Sequence, residues 1–122
     1  MESFVTEQLN KGGGTFKIKK GEDNMNIVKE TEGSKLTIIL EGRLDTMTAP
    51  GLEAEVKGSV EGVTELVFDF EKLEYVSSAG LRVLLAAQKI MNKQGSMCIR
   101  HVNEVIMEVF EVTGFSDILT IE

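Results

Sequence analysis

The stretch Tyr75-Val76-Ser77-Ser78-Ala79-Gly80-Leu81 lies between an apolar, strand-like run, Leu66 to Phe70, and the strongest helical pattern in the chain, Leu81 to Gln94. A strand-to-helix corner carrying two hydroxyls is expected there. Ala79 and Gly80 follow, so the corner has little steric cover and a partner's backbone or a phosphate can approach closely. A serine so placed is either a helix N-cap or a site. Taken by themselves, these residues leave both readings open.

The rest of the chain builds around that corner. A strand is expected from Ile27 to Glu30, a turn at Glu32-Gly33-Ser34, and a second strand from Lys35 to Glu41, together a hairpin. Gly42-Arg43-Leu44-Asp45 leads to Thr48-Ala49-Pro50, where a threonine with proline in the next turn marks a helix start. Leu52, Val56 and Val60 recur at fours on that helix, which should end between Gly58 and Gly62. The next strand, Thr64 to Phe70, is apolar and aromatic enough to be central in its sheet. Past the corner, Val83, Leu84, Ala87, Ile90 and Met91 share one helical arc, the expected core face. Leu81 and Leu85 fall outside it, near Gln88, with Arg82 and Lys89 on the same outer side; they are either extra core or a partner-facing strip. Ser96 to His101 reads as a strand, Asn103 as the N-cap of a third helix, Gly114 as its stop, and Ile118 to Ile121 as a closing strand. Strands alternating with helices after a hairpin give an α/β class: a mixed sheet of four to five strands with about three helices packed against it.

Residues 1–24 differ from this pattern. Gly12-Gly13-Gly14 reads as a flexible break, Thr15 to Lys19 as a weak edge strand and Glu22-Asp23-Asn24 as a loop, so the extension is either flexible or an extra strand, with the domain proper over residues 25–122. Met1 to Lys11 lacks the basic start and apolar run of a secretory signal, and no segment approaches the roughly 18 apolar residues of a membrane span. A single cysteine, Cys98, allows no intrachain disulfide. A cytoplasmic protein without membrane insertion is expected. The net charge of −7, with no compensating basic cluster, argues against a nucleic-acid partner.

Catalytic chemistry finds no support. Val76-Ser77-Ser78-Ala79-Gly80 lacks the first glycine of a nucleophile elbow, and the one histidine, His101, reads as structural. Cys98 and His101 lie three apart in a presumed strand and so point to opposite faces, which is no ligand set. Neither nucleotide-binding glycine fingerprint is present. No catalytic residue, metal site or cofactor is expected.

Three segments, Gly42-Arg43-Leu44-Asp45-Thr46-Met47-Thr48-Ala49-Pro50, Leu66-Val67-Phe68-Asp69-Phe70 and Tyr75 to Leu84, stand in the order of a known family. Together with Val112-Thr113-Gly114-Phe115 they resemble the bacterial anti-sigma factor antagonists, whose unit is the STAS domain, shared with sulphate-transporter tails. The resemblance implies a single STAS-like α/β domain and a non-enzymatic role. It implies binding to an anti-sigma factor that is also an ATP-dependent serine kinase, inactivation by phosphorylation of a serine at the start of the second helix, and restoration by a metal-dependent serine phosphatase. The acceptor it implies is Ser78, two before the Gly-Leu pair, with Ser77 as second choice where the best-known members carry an aspartate. The partner surface implied is Asp45, Thr46, Ser77, Ser78, Ala79, Gly80, Leu81, Arg82 and Leu85. The alternative within the same resemblance is an unphosphorylated STAS scaffold subunit of a larger complex or transporter.

Overall fold

The computed structural model describes residues 13–19, as backbone, and residues 25–122. Expectations for residues 1–12 and for the loop at Glu22-Asp23-Asn24 lie outside the described residues. The elements run β1 (Gly13–Lys19), β2 (Met25–Glu32), β3 (Lys35–Leu44), α1 (Ala49–Ser59), β4 (Glu65–Val76), α2 (Ser78–Gln94), β5 (Ser96–Arg100) and α3 (Glu104–Thr113), followed by a short 3-10 turn, Phe115–Asp117. The five strands form one sheet in sequence order. β1, β2 and β3 are antiparallel neighbours, whereas β4 and β5 add in parallel, each reached through a helix. Gly13 and Gly14, expected in a flexible break, pair in β1 with Glu32 and Thr31.

Period-two alternation sends Ile27 on β2, Leu36, Ile38 and Leu40 on β3, Leu66, Phe68 and Phe70 on β4, and Met97 and Ile99 on β5 into one buried cluster. Leu52 and Val56 of α1, Leu84, Ala87 and Met91 of α2, and Ile106 and Phe110 of α3 complete it. Lys29 on β2 reaches α1, donating to Glu55 at 2.8 Å and to Ser59 Oγ at 2.9 Å, which fixes the helix laterally over the hairpin.

Several strand ends differ from expectation: β2 spans Met25–Glu32 where Ile27 to Glu30 was expected, and β3 runs past Glu41 to Leu44. β4 does not stop at Phe70 but continues to Val76, staying beside β3 through two irregularities in register and finishing with Arg43 opposite Tyr75 and Leu44 opposite Val76. The closing strand expected from Ile118 to Ile121 is a single bridge between Ile99 and Ile121. The preceding 3-10 turn holds Ile118 and Leu119 through bonds to the Phe115 carbonyl at 2.9 and 2.8 Å, leaving too few extended residues for a ladder. β5 ends at Arg100 because His101 turns the chain with φ 61°, a left-handed conformation uncommon outside glycine.

Candidate functional site

The pairing of Leu44 with Val76 creates the site, since the segments that follow those two residues must then start side by side. Ser77 N–H donates to the Leu44 carbonyl at 2.9 Å, stitching the two strand ends together. From β3 the chain enters a turn organised by Asp45, whose Oδ1 accepts the N–H groups of Met47 at 3.0 Å and Thr48 at 3.2 Å. Thr48 precedes α1 as expected, but its hydroxyl does not cap the helix. Instead, with Thr48 only 1% exposed, the hydroxyl donates backward to the Arg43 carbonyl at 2.8 Å and accepts from Asp45 N–H at 2.9 Å. The Asp45 turn is thereby rigid. Arg43 Nε stands 3.8 Å from Asp45 Oδ2, and its guanidinium lies 4.8 Å from the centre of the Tyr75 ring.

On the other strand end the two serines stand in different surroundings. Ser77 is the N-cap: its backbone is extended, its Oγ accepts Gly80 N–H at 3.4 Å, and its carbonyl accepts Leu81 N–H at 2.9 Å. Ser78 is the first residue of α2; it is exposed, and among the described residues its hydroxyl makes no hydrogen bond. Gly80 then seats the helix against β3. A Cβ there would lie 2.6 Å from Leu44 Cγ and 3.2 Å from the Leu44 carbonyl oxygen, so only glycine allows this approach without displacement.

Two residues of the expected partner surface, Gly80 and Leu81, are buried. Leu81 is 5% exposed and belongs to the core, as does Gln88 by burial, while Leu85 is half-buried. The buried arc of α2 runs from Val83 through Leu84 to Leu81, about 160° at roughly 100° per residue, because the helix lies across β4 and β5 with α1 against one flank. The surface beside the corner is therefore Thr46, Met47, Pro50, Ser78 and Arg82, all exposed, with Ala79 and Leu85 half-buried. Met47, 78% exposed in the Asp45 turn, is an unbranched apolar side chain that the sequence reading passed over; its only sequence signal was an isolated methionine in a polar turn. Between α1 and α2 runs a groove of about 330 Å³ lined by Thr46, Ala49, Pro50, Glu53, Ala79, Arg82 and Val83.

His101, set aside above as a metal ligand because it and Cys98 would point to opposite faces of a strand, has a different set of neighbours. Its Nδ1 lies 2.9 Å from Asp69 Oδ1, and Asp69, Glu71 and His101 each bring a potential ligand atom within 4.8 Å of the others. The hydrogen bond to Asp69, and then the charge of Asp69, raise the His101 pKa above its ordinary value. Cys98 is outside that group, and its thiol is pushed up by burial first and by Glu122 second.

A mixed sheet whose β3 and β4 ends deliver an aspartate turn and a serine corner side by side defines a STAS domain, and the chain belongs to that family. The STAS domain profile matches residues 26–122. Its relatives include proteins named as anti-sigma factor antagonists. The chain is 34% identical over 99 residues to a Bordetella bronchiseptica protein, BtrV, whose name carries a provisional assignment of that kind, covering 80% of this chain and 85% of the other. It is 32% identical over 104 residues to the anti-sigma-B factor antagonist of Listeria monocytogenes, covering 80% and 90%. In fold it is similar to an anti-sigma factor antagonist from Mycobacterium paratuberculosis, with a TM-score of 0.74 at 22% identity over 82% of this chain and 86% of that one. Among the described residues no helix is long and apolar enough to cross a membrane.

Proposed function

We propose that this protein is a cytoplasmic anti-sigma factor antagonist of the partner-switching kind. In this reading it is a binding module with no catalysis of its own, engaging a serine-kinase anti-sigma factor through the Asp45 turn, the serine corner and the exposed flank of α2. Phosphorylation of Ser78 releases that partner, and a metal-dependent serine phosphatase reverses the mark. The observation that carries the reading is the division between the serines: Ser77 is used as the helix cap, and Ser78 offers an exposed hydroxyl with no hydrogen bond among the described residues. Relatives named as anti-sigma factor antagonists support the role. Support also comes from SpoIIAA, of similar fold, which has been solved in unphosphorylated and phosphorylated forms.

Energetics favour release without unfolding. A phosphate carries a charge of about −1.5 to −2, and the first turn of a helix, with its free N–H groups and positive dipole end, is a backbone position that accommodates it. A partner packed over the same residue would have to bury the dianion, at a cost of several kcal/mol. About 3 kcal/mol already weakens binding more than 100-fold. The test is incubation with the kinase and Mg-ATP followed by phosphosite mapping. Phosphate on Ser78, abolished by Ser78→Ala and retained by Ser77→Ala, is the expected result. A mark confined to any other residue, or no mark, overturns the phosphorylation step.

A further inference from the structure

Ser78 and Arg82 are four residues apart on α2 and both are exposed. Residues at that spacing are neighbours on a helix surface, with Cβ atoms about 5–6 Å apart. Helical side chains lean toward the N-terminus, so Arg82 leans back toward the turn that holds Ser78. Among the described residues Arg82 belongs to none of the ion pairs, which take up Lys29, Arg43, Lys57, Arg100 and His101; Lys35, Lys72, Lys89 and Lys93 are outside them too, but of these cations only Arg82 stands one turn from Ser78. Among the described residues it is also the one cation lining the groove between α1 and α2, where the other charged lining residue, Glu53, pairs with Lys57 at 3.0 Å.

We propose that Arg82 is the intramolecular receptor for a phosphate on Ser78, so that modification draws the guanidinium off the α1/α2 groove as well as placing negative charge on the corner. The inference rests on Ser78 being the modified residue. An acidic group four residues N-terminal to a basic one is the favoured order on a helix, and a guanidinium can meet two phosphate oxygens at once. The geometry also separates the serines. Ser77 lies five residues before Arg82, off that face, in extended backbone, with its Oγ turned to the Gly80 N–H. A bound partner therefore loses two features together: a neutral corner and a free cation in the groove.

The experiment needs no kinase. Phosphoserine is installed at position 78 of the full chain by genetic encoding, and its second ionisation is followed by phosphorus NMR alongside thermal melting, in the native sequence, in Arg82→Gln and in Arg82→Lys. The ionisation in the native sequence is expected roughly half a unit below that in Arg82→Gln, the size of an exposed i,i+4 ion pair made with a dianion. Lysine, a point charge without the fork, should restore part of the shift. Unphosphorylated protein should melt alike with and without Arg82→Gln, and phosphoserine placed at position 77 should show no dependence on Arg82. Superposable titrations of the native and Arg82→Gln phosphoproteins would overturn the role of Arg82 while leaving Ser78 as the switch. Phosphosite mapping that misses Ser78 would do the reverse, removing the switch and leaving the ion pair measured.

Discussion

Ser77 and Ser78 are adjacent in sequence and opposite in use, which makes them separable by measurement. Ser77→Ala removes a cap whose hydrogen bond is long, 3.4 Å, and is expected to lower stability by about 0.5–1 kcal/mol in denaturant unfolding, whereas Ser78→Ala should change stability by a few tenths at most. Equal losses at both positions would contradict the division. His101 gives a pH-dependent counterpart. Its pKa is raised above 6.5 by Asp69, so the folded protein holds the proton more tightly than the unfolded chain. The stabilisation is then present in full below about pH 6.5 and disappears as pH rises through the raised value. The melting-temperature difference between the native protein and His101→Gln should accordingly be larger at pH 6 than at pH 8; a difference independent of pH would remove the Asp69 pairing as its cause. Neither the pairing nor the left-handed backbone at His101 was legible in the sequence, because Asp69 and His101 meet only through the β4/β5 register.

In α2 the sequence pattern gave the helix, its end at Gln94 and its central core residues, and it misjudged the width of the buried face. A fixed arc captures Leu84, Ala87 and Met91, which face the sheet directly. Leu81 is drawn in because Gly80 brings the helix's first turn against Leu44, and periodicity alone cannot register that approach. Leu81→Ala should therefore cost about 2–5 kcal/mol, while truncation of half-buried Leu85 should cost much less and affect partner binding instead. Similar losses for both variants in chemical unfolding would contradict this assignment. The C-terminal segment teaches the same lesson in reverse. Ile118 to Ile121 has strand-like composition, yet local bonds to the Phe115 carbonyl take Ile118 and Leu119 first, and the sheet is met by a single bridge at Ile121, in which the Thr120 carbonyl accepts from Ile99 N–H and Glu122 N–H donates to the Ile99 carbonyl.

For the molecule as a whole, alternation and helical spacing made the α/β class readable, since the hairpin and the two helix-linked strands each leave a distinct period. The order β1 to β5 is not encoded that way; it follows from which strands pair. That order produces the site, because β3 and β4 are neighbours whose ends hold Leu44 opposite Val76, and the Asp45 turn and the serine corner are carried on them. The sheet and the core of α2 lie beneath the corner, while Ser78 stands outside them, so charge added there need not disturb the cluster that holds the fold. The most direct measurement compares the affinity of unmodified and Ser78-phosphorylated protein for the proposed partner, a kinase-type anti-sigma factor, with the amide NMR spectrum of each form recorded alongside. A loss of about 100-fold or more in affinity, with spectral changes confined to the Asp45 turn and the first turns of α2, is the expected result. Undiminished affinity, or loss of dispersion throughout the sheet, would contradict a switch that releases its partner without unfolding.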